Sequence, residues 1–144
     1  MLWEVEGDFT LEARVTGDVR PEPGSSGYRA ACLLLWKDDF NFMRFERAYQ
    51  GSLQAGYHLL HFNQFRDGKE IVTNRLPCDS EEKVIKVRRT GATVFATLGQ
   101  LPEKIIPWSA PSRLKIGMGT LNIGSRGPLL VGFEDIKLTT YSAP

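Results

Sequence analysis

The chain has 144 residues, which is the length of a single domain. Its 18 basic and 17 acidic side chains give a formal charge of +1, which excludes the strongly basic surface that nucleic acids and anionic membranes attract. The 42% of apolar residues is typical of a folded globular protein and excludes a disordered chain.

The N-terminal sequence predicts a module cut from a longer protein. The longest apolar run, residues 30–36, has seven residues, far fewer than the ~20 that a membrane-spanning helix needs. Neither a basic segment nor an apolar segment of the signal-peptide type follows Met1. Because strand-like sequence begins directly behind Met1, we expect residues 1–144 to be one domain with further domains beside it. No compartment is predicted, since a targeting segment would lie elsewhere in that longer protein.

Strand patterns follow one another along the chain. Residues 8–16 alternate with period two, as a half-buried strand does, and residues 28–36 are apolar apart from Arg29, as expected for a covered central strand. Residues 42–49 also fit helical spacing, but Met43 and Phe45 alternate with charged residues, which favours a strand. The other predicted strands are residues 56–65, 70–75, 83–89, 92–98, 113–123 and 129–141.

Turn signals separate these strands. Asp67-Gly68 predicts a hairpin, and residues 102–111 are predicted to be irregular because they contain three prolines. Glu4, Glu6 and Asp8 share parity, so we expect them on the solvated face of one first strand. About ten short strands without a helix predict an all-β protein, an antiparallel sandwich or barrel.

Several segments together resemble one known superfamily. Residues 7–13 are similar to the first strand of concanavalin A-like (laminin-G-type) jelly rolls. Residues 31–38 and 41–46 resemble their paired central strands, residues 86–94 the hairpin that crosses the sheet, and residues 132–138 the closing strand. The similarity is greatest to the DUF1349 group and to the C-terminal sandwich domains of some family 43 glycosidases. It implies one jelly-roll β-sandwich, of the lectin and glucanase type, whose concave sheet face binds carbohydrate in many members.

No motif for catalysis stands out. Glycosidases of this fold place two carboxylates on one strand, in a pattern like Glu-x-Asp-x-x-Glu, and the sequence contains no such run. Glu134 and Asp135 are adjacent and would point to opposite faces of a regular strand. His58 and His61 have no flanking Ser or Cys, and no Gly-x-Ser-x-Gly elbow occurs. The sequence therefore favours a protein without catalytic activity.

One polar and aromatic sheet face is the best candidate for a binding site. If Met43 and Phe45 face the core, then Phe42, Arg44 and Glu46 share the other face. Aromatic rings suit the apolar face of a pyranose, and planar polar groups suit its hydroxyls. The alternative interpretation is a cross-strand ion pair beside a core tryptophan. The predicted ligand-binding residues are Trp36, Phe42, Arg44, Glu46, His61, Asn63 and Arg88.

A calcium ion and a disulfide are two further possibilities that the sequence leaves open. Asp38, Asp39 and Asn41 offer oxygens of the kind that Ca²⁺ prefers, and many relatives in the superfamily hold such an ion at the sandwich edge. The same residues are ordinary turn formers, and no other cofactor is expected. Nothing in the spacing of Cys32 and Cys78 demands that they pair.

These observations favour a non-catalytic carbohydrate-binding or accessory module that binds an oligosaccharide or a polysaccharide on its concave face. One alternative is a protein–protein interaction or packing module of a multidomain protein, in which loops or another domain fill that face. A glycoside hydrolase is the third. Neither nucleic acid nor a membrane is an expected partner.

Overall fold

The computed structural model describes residues 1–52, 55–108 and 111–141. These residues form two antiparallel sheets, with strand order β1-β10-β3-β4-β5-β6 in one and β11-β2-β7-β8-β9 in the other. The predicted all-β antiparallel sandwich is therefore confirmed. No helix in the described part of the chain is long and apolar enough to cross a membrane. The strands are β1 (Leu2–Glu6), β2 (Asp8–Asp18), β3 (Gly27–Asp38), β4 (Asn41–Gly51), β5 (Tyr57–Arg66), β6 (Lys69–Pro77), β7 (Lys83–Thr90), β8 (Thr93–Leu98), β9 (Lys104–Pro107), β10 (Arg113–Ile123) and β11 (Leu130–Tyr141).

The core lies between the two sheets and follows from the alternation of apolar side chains. Phe9, Leu11, Ala13 and Val15 of β2 all point inward and are 0% exposed, because successive side chains of a strand face opposite sides. Residues 30–33 of β3 are buried on both faces of its sheet, between β10 and β4. This confirms the central strand that the continuous apolar run predicts.

Two turns set the path of the chain. Asp67 and Gly68 both have positive φ (51° and 75°), as a type I′ hairpin requires, so the predicted hairpin joins β5 to β6. Gly7, with φ 75°, ends β1 and donates its N–H to the Ser112 carbonyl at 2.8 Å. The chain changes sheets at Gly7, so Glu4 and Asp8 lie in different sheets. The prediction that they share the face of one strand is therefore wrong.

The proline-rich segment contains a strand that its three prolines do not predict. β9 runs through it as the edge strand of the five-stranded sheet and pairs with β8 alone. Pro107 is the last residue of β9, a position where the missing N–H of proline is tolerated. Ile106 is 5% exposed and packs into the core, whereas Ile105 is 67% exposed. Residues 109 and 110 of the predicted irregular segment lie outside the described residues.

Two arginines are buried inside the sandwich, each 1% exposed. The Arg29 guanidinium donates to the Pro128 carbonyl at 3.0 Å and to the two carbonyls before it. The Arg47 guanidinium donates to the carbonyls of Gly17 at 2.7 Å and Ser80 at 2.8 Å. Each arginine thus ties a strand of the six-stranded sheet to backbone elsewhere, and the carbonyls replace the water that its charge loses on burial.

Candidate functional site on the outer face of the six-stranded sheet

We use the term outer face for the side of the six-stranded sheet that points away from the core. Strands β3 to β6 send every second side chain to this face, and their register brings polar groups from four strands side by side. One row across the sheet contains Leu34, Arg44, Asn63 and Thr73, and the next contains Cys32, Glu46, His61 and Arg75.

Glu46 is the centre of this arrangement, and its side chain is 0% exposed. Its Oε2 accepts a hydrogen bond from the Tyr28 hydroxyl and lies 3.0 Å from His61 Nδ1. Its Oε1 lies 3.1 Å from Arg44 Nε, an ion-pair distance without hydrogen-bond geometry, and no other described residue bonds that oxygen. His61 extends the network through Nε2, which lies 2.9 Å from Thr73 Oγ1. A carboxylate this deeply buried stays charged only beside a cation, and Arg44 fills that role.

Tyr28 lies at the beginning of β3 and contacts the network from there. Its ring packs against a small apolar cluster of Ala30, Ala48 and Leu59. The hydroxyl lies 2.8 Å from His61 Nδ1 as well as bonding Glu46. Burial, followed by the negative charge of Glu46, raises the pKa of Tyr28 well above its usual range. The hydroxyl therefore remains protonated and serves as a hydrogen-bond donor.

Both cysteines are free thiols. Cys32 lies beside Glu46 in the sheet register and is 3% exposed. Burial, and to a smaller extent the Glu46 charge, raises the pKa of Cys32 to about 12. The thiol is consequently an inert, protonated part of the sheet, as a buried cysteine usually is.

Arg44 is the member of the network that is best placed to meet a ligand. Its Nε donates to Asn63 Oδ1 at 3.2 Å, which fixes the side chain together with the Glu46 contact. Its guanidinium carbon lies 5.7 Å from the ring centroid of Phe42 and 5.4 Å from that of Phe65, and these two rings stack at 4.5 Å. The terminal nitrogens Nη1 and Nη2 bond no described residue, and the side chain is 21% exposed.

Most of the sequence-predicted ligand residues come together on this face. Adjoining positions of β4 and β5 are occupied by Phe42, Arg44, Glu46, His61 and Asn63. Trp36 lies on β3 and pairs with Phe42, and a lysine ammonium lies 4.9 Å from the centroid of the Trp36 ring.

Arg88 is not part of the outer face. It lies on β7 of the other sheet, where its guanidinium carbon is 3.8 Å from the ring centroid of Phe95. The prediction that Arg88 joins the binding residues is corrected, because β7 pairs with β2 and β8 and points Arg88 away from the core on the opposite side of the sandwich.

Four residues of the site do not appear in the sequence prediction. Alternation along β5 from His61 and Asn63 places Phe65 on the same face, and this signal is available in the sequence. Thr73 and Arg75 join only through the pairing of β5 with β6, which alternation within one strand does not reveal. Tyr28 begins the mostly apolar stretch 28–36, in which alternation does not distinguish a polar face.

The residues proposed for calcium lie in and beside the turn between β3 and β4. Asp38 Oδ1 accepts hydrogen bonds from the Phe40 N–H at 2.9 Å and from Asn41 Nδ2 at 2.8 Å. The bond from Asn41 is the main cause that lowers the pKa of Asp38, and Asn41 Oδ1 accepts from the Asp67 N–H at 3.1 Å. These oxygens are committed to the turn. Among the described residues, no group of three or more His, Cys, Asp or Glu side chains is placed to hold a metal.

The chemistry of Glu46 also differs from that of a glycosidase. Such an enzyme needs two carboxyl groups, about 5–9.5 Å apart, on either side of one glycosidic bond. The polar groups that contact Glu46 within the described ranges belong to Tyr28, Arg44 and His61, and none is a carboxylate. The arrangement can hold a guanidinium in place.

No protein-family model and no curated protein matches the sequence. Solved structures do match. A functionally unknown protein from Saccharomyces cerevisiae has a TM-score of 0.73 at 19% identity, over 99% of this chain and 75% of that chain. The carbohydrate-binding module CBM66 from Bacillus subtilis has a TM-score of 0.57 at 18% identity, over 96% and 78% of the two chains. Chicken galectin 2 has a TM-score of 0.56 at 10% identity, over 94% and 97%.

At these identities the similarity shows the fold alone. The chain is a jelly-roll β-sandwich of the galectin and carbohydrate-binding-module type, which confirms the concanavalin A-like fold that the sequence resemblance implies. Proteins of this fold include carbohydrate-binding ones, and any sugar that this chain binds remains to be inferred from its own residues.

Proposed function

We propose that this chain is a non-catalytic carbohydrate-binding module that binds an oligosaccharide or a polysaccharide across the outer face of β3 to β6. The observation that carries the proposal is the state of Arg44. Its guanidinium is held by Glu46 and Asn63 and lies over two rings, while neither Nη group bonds any residue in the described part of the chain. A donor that is fixed before the ligand arrives loses little conformational entropy on binding, which favours affinity.

Aromatic side chains next to Arg44 support the same function. Phe42 and Phe65 form a stacked pair, and Trp36 lies beside Phe42 across the β3–β4 pairing. All three rings are partly exposed. Rings next to fixed polar groups suit a pyranose, which has an apolar face and a rim of hydroxyls.

The wider context of the module belongs to the same proposal. An accessory role beside other domains of a longer protein, and a relation to the DUF1349 group, are supported by the resemblance of the sequence alone. The sugar binding proposed above does not depend on either of them.

A glycan array followed by isothermal titration calorimetry tests the proposal. We expect the chain to bind at least one oligosaccharide at submillimolar concentration. Arg44→Lys keeps a cation beside Glu46 but removes the planar fork, so it should weaken binding about tenfold, the contribution of one charge-assisted hydrogen bond. Arg88→Lys is the matched control, because Arg88 also stacks on an aromatic ring but lies on the other sheet.

Three results would contradict the proposal. The first is an absence of binding to every saccharide at millimolar concentration, which would favour a packing module. The second is an equal loss of affinity in the Arg44 and Arg88 variants, which would place the ligand elsewhere. The third is the appearance of new reducing ends when bound oligosaccharides are incubated with the protein, which would indicate a hydrolase.

A further inference from the structure

We infer that the saccharide bound by the outer face is acidic, with uronic-acid carboxylates as the groups that the site recognises. This inference rests on the proposed function and adds the chemical class of the ligand. It follows from two guanidiniums of the outer face, Arg44 and Arg75, whose terminal nitrogens are available as donors to a ligand.

The oxygen acceptors at the centre of the site are either buried or already accept a hydrogen bond. Glu46 is 0% exposed, and its carboxylate is enclosed by Tyr28, His61 and Arg44. Asn63 is 1% exposed and turns its Oδ1 to Arg44 Nε. Gln50 Oε1 accepts from Arg75 Nη1 at 3.4 Å. Glu46 Oε1 accepts no hydrogen bond from the described residues, but a sugar hydroxyl does not reach it because the side chain is 0% exposed, and the two amide oxygens each accept one bond already.

The groups that remain around Arg44 and Arg75 are nitrogen donors and one hydroxyl, while the exposed carboxylate of Glu70 lies beside Phe65. Nη1 and Nη2 of Arg44, Nη2 of Arg75 and Nδ2 of Asn63 bond no described residue. Thr73 is exposed beside them, and its Oγ1 is already within hydrogen-bond distance of His61. A guanidinium offers five donors and no acceptor, so the open part of the site presents positive N–H groups to whatever binds there.

The two guanidiniums discriminate between neutral and acidic sugars. Each hydroxyl of a neutral sugar brings a proton that needs an acceptor, and a hydrogen-bonding group left unpaired on binding reduces affinity. A carboxylate brings two acceptor oxygens and no proton, and its geometry matches a guanidinium fork bidentately. The outer face therefore favours carboxylate-bearing sugars over neutral sugars of the same shape.

The spacing of the two guanidiniums bears on the length of the ligand. The buried Glu46 and the exposed Glu70, which pairs with Phe65, bring two negative charges to this face, and Arg44 and Arg75 bring two positive ones. They lie two strands and two residues apart in register, which corresponds to about 12 Å between their Cα atoms. One carboxylate serves one guanidinium, so the ligand that uses both is an oligosaccharide with repeated acidic residues.

Matched pairs of saccharides test the inference. The probes are oligomers of galacturonate, glucuronate and mannuronate, together with the carboxyl-reduced form of each, which keeps the linkages but is neutral. By calorimetry we expect at least one oligouronate to bind at least tenfold more tightly than its reduced form. Arg75→Gln should weaken the oligouronate about tenfold and its reduced form by a smaller factor, whereas Arg88→Gln on the other sheet should change neither.

Other results would overturn the inference and are distinguishable from failure of the proposed function. Equal or tighter binding of the reduced forms would refute acidic specificity but leave sugar binding standing. Tighter binding of a sulfated oligosaccharide than of every oligouronate would refute the carboxylate assignment. Binding of poly-glutamate as tight as that of the best oligouronate would indicate attraction of any polyanion. Failure of every saccharide, acidic or neutral, would overturn the proposed function itself.

Discussion

The outer faces of the two sheets both carry ion pairs, but the charged groups are exposed to solvent on one face and include a buried carboxylate on the other. On the five-stranded sheet, Arg14 forms ion pairs with Glu82 and Glu134 at 2.9 Å and with Asp135 at 3.0 Å, and all four side chains are at least 37% exposed. On the six-stranded sheet, Glu46 is 0% exposed and is enclosed by groups from neighbouring strands.

The difference in burial determines which of the two clusters keeps its side chains in one arrangement. Water and salt screen the exposed charges around Arg14, so these side chains exchange one partner for another at little loss. Water does not reach Glu46, so the loss of a partner there leaves a buried charge or dipole unsatisfied. Only the buried network holds a side chain such as Arg44 in one position for a ligand.

The largest effect is expected when the buried carboxylate itself is replaced. Glu46→Gln removes the charge that Arg44 pairs with and that Tyr28 bonds. The free energy of unfolding, measured by urea denaturation, should fall by about 3 kcal/mol. Glu134→Gln makes the same change on the other face and should have no measurable effect. Equal losses in the two variants would refute the contrast between the faces.

Removal of one hydroxyl from the network sharpens the comparison. Tyr28→Phe deletes the donor to Glu46 and should lower the free energy of unfolding by about 2 kcal/mol, since a bond to a charged group is lost. Tyr141→Phe is the matched control, because Tyr141 lies on β11 of the other sheet and is 53% exposed. If urea denaturation gives the wild-type value for Tyr28→Phe, the hydroxyl does not support Glu46.

Alkaline pH should weaken the fold through the acids buried on the six-stranded sheet. The pKa of Cys32 is 9.0 without the fold and about 12 within it, so above pH 9 the unfolded chain loses a proton that the native state keeps. Its contribution is complete below pH 9 and declines by about 1.4 kcal/mol per pH unit up to about pH 12. The raised pKa of Tyr28 acts in the same direction.

Urea denaturation between about pH 8 and about pH 11 measures this decline. Cys32→Ala should make the profile flatter. Cys78→Ala should flatten it less, because burial, the main cause that raises the pKa of Cys78, is less complete at that thiol. A wild-type stability that does not change over this range would contradict the burial of these acids.

The smallest effect is expected at the exposed cluster. Arg14→Gln removes three ion pairs, yet thermal unfolding at low salt should show a small decrease in Tm. The decrease should disappear at about 1 M NaCl, where screening acts over roughly 3 Å. The loss caused by Glu46→Gln should persist at that salt concentration. A salt response of both variants would mean that solvent reaches Glu46.

Alternation within single strands is the part of the site that the sequence can predict. Phe42, Arg44 and Glu46 share a face because they lie two residues apart on β4, and His61 and Asn63 do so on β5. The same rule assigns Glu134 and Asp135 to opposite faces, but β11 has a register shift there and Asp135 has a φ of 51°.

Sheet membership and register are the parts that it cannot predict. Arg88 carries the chemistry of a ligand residue, but β7 pairs with β2, a strand some seventy residues earlier in the sequence, and this places it on the other sheet. Thr73 and Arg75 enter the site through a β5–β6 register that contains a shift after Gln64. Both features depend on contacts between distant strands, which local periodicity does not encode.

The proline-rich segment is a second case in which the position of a strand in its sheet cannot be predicted from the sequence. Three prolines predict an irregular connection, and this holds for the interior of a sheet, where each missing N–H breaks a ladder bond. β9 lies at an edge and ends at Pro107, so the proline does not interrupt it. The sequence does not reveal which strands are edges.

The burial of neighbouring residues on opposite faces has a consequence for folding. Tyr28 and Arg29 on β3, and Glu46 and Arg47 on β4, send polar groups to the two sides of one sheet, each with its own partners. A slip of one residue would exchange the faces and place a guanidinium where a phenol fits and a carboxylate among the carbonyls that the arginines bind. These pairs therefore destabilise a hairpin that is misaligned by one residue. A strand with only apolar side chains would not discriminate against that register in this way.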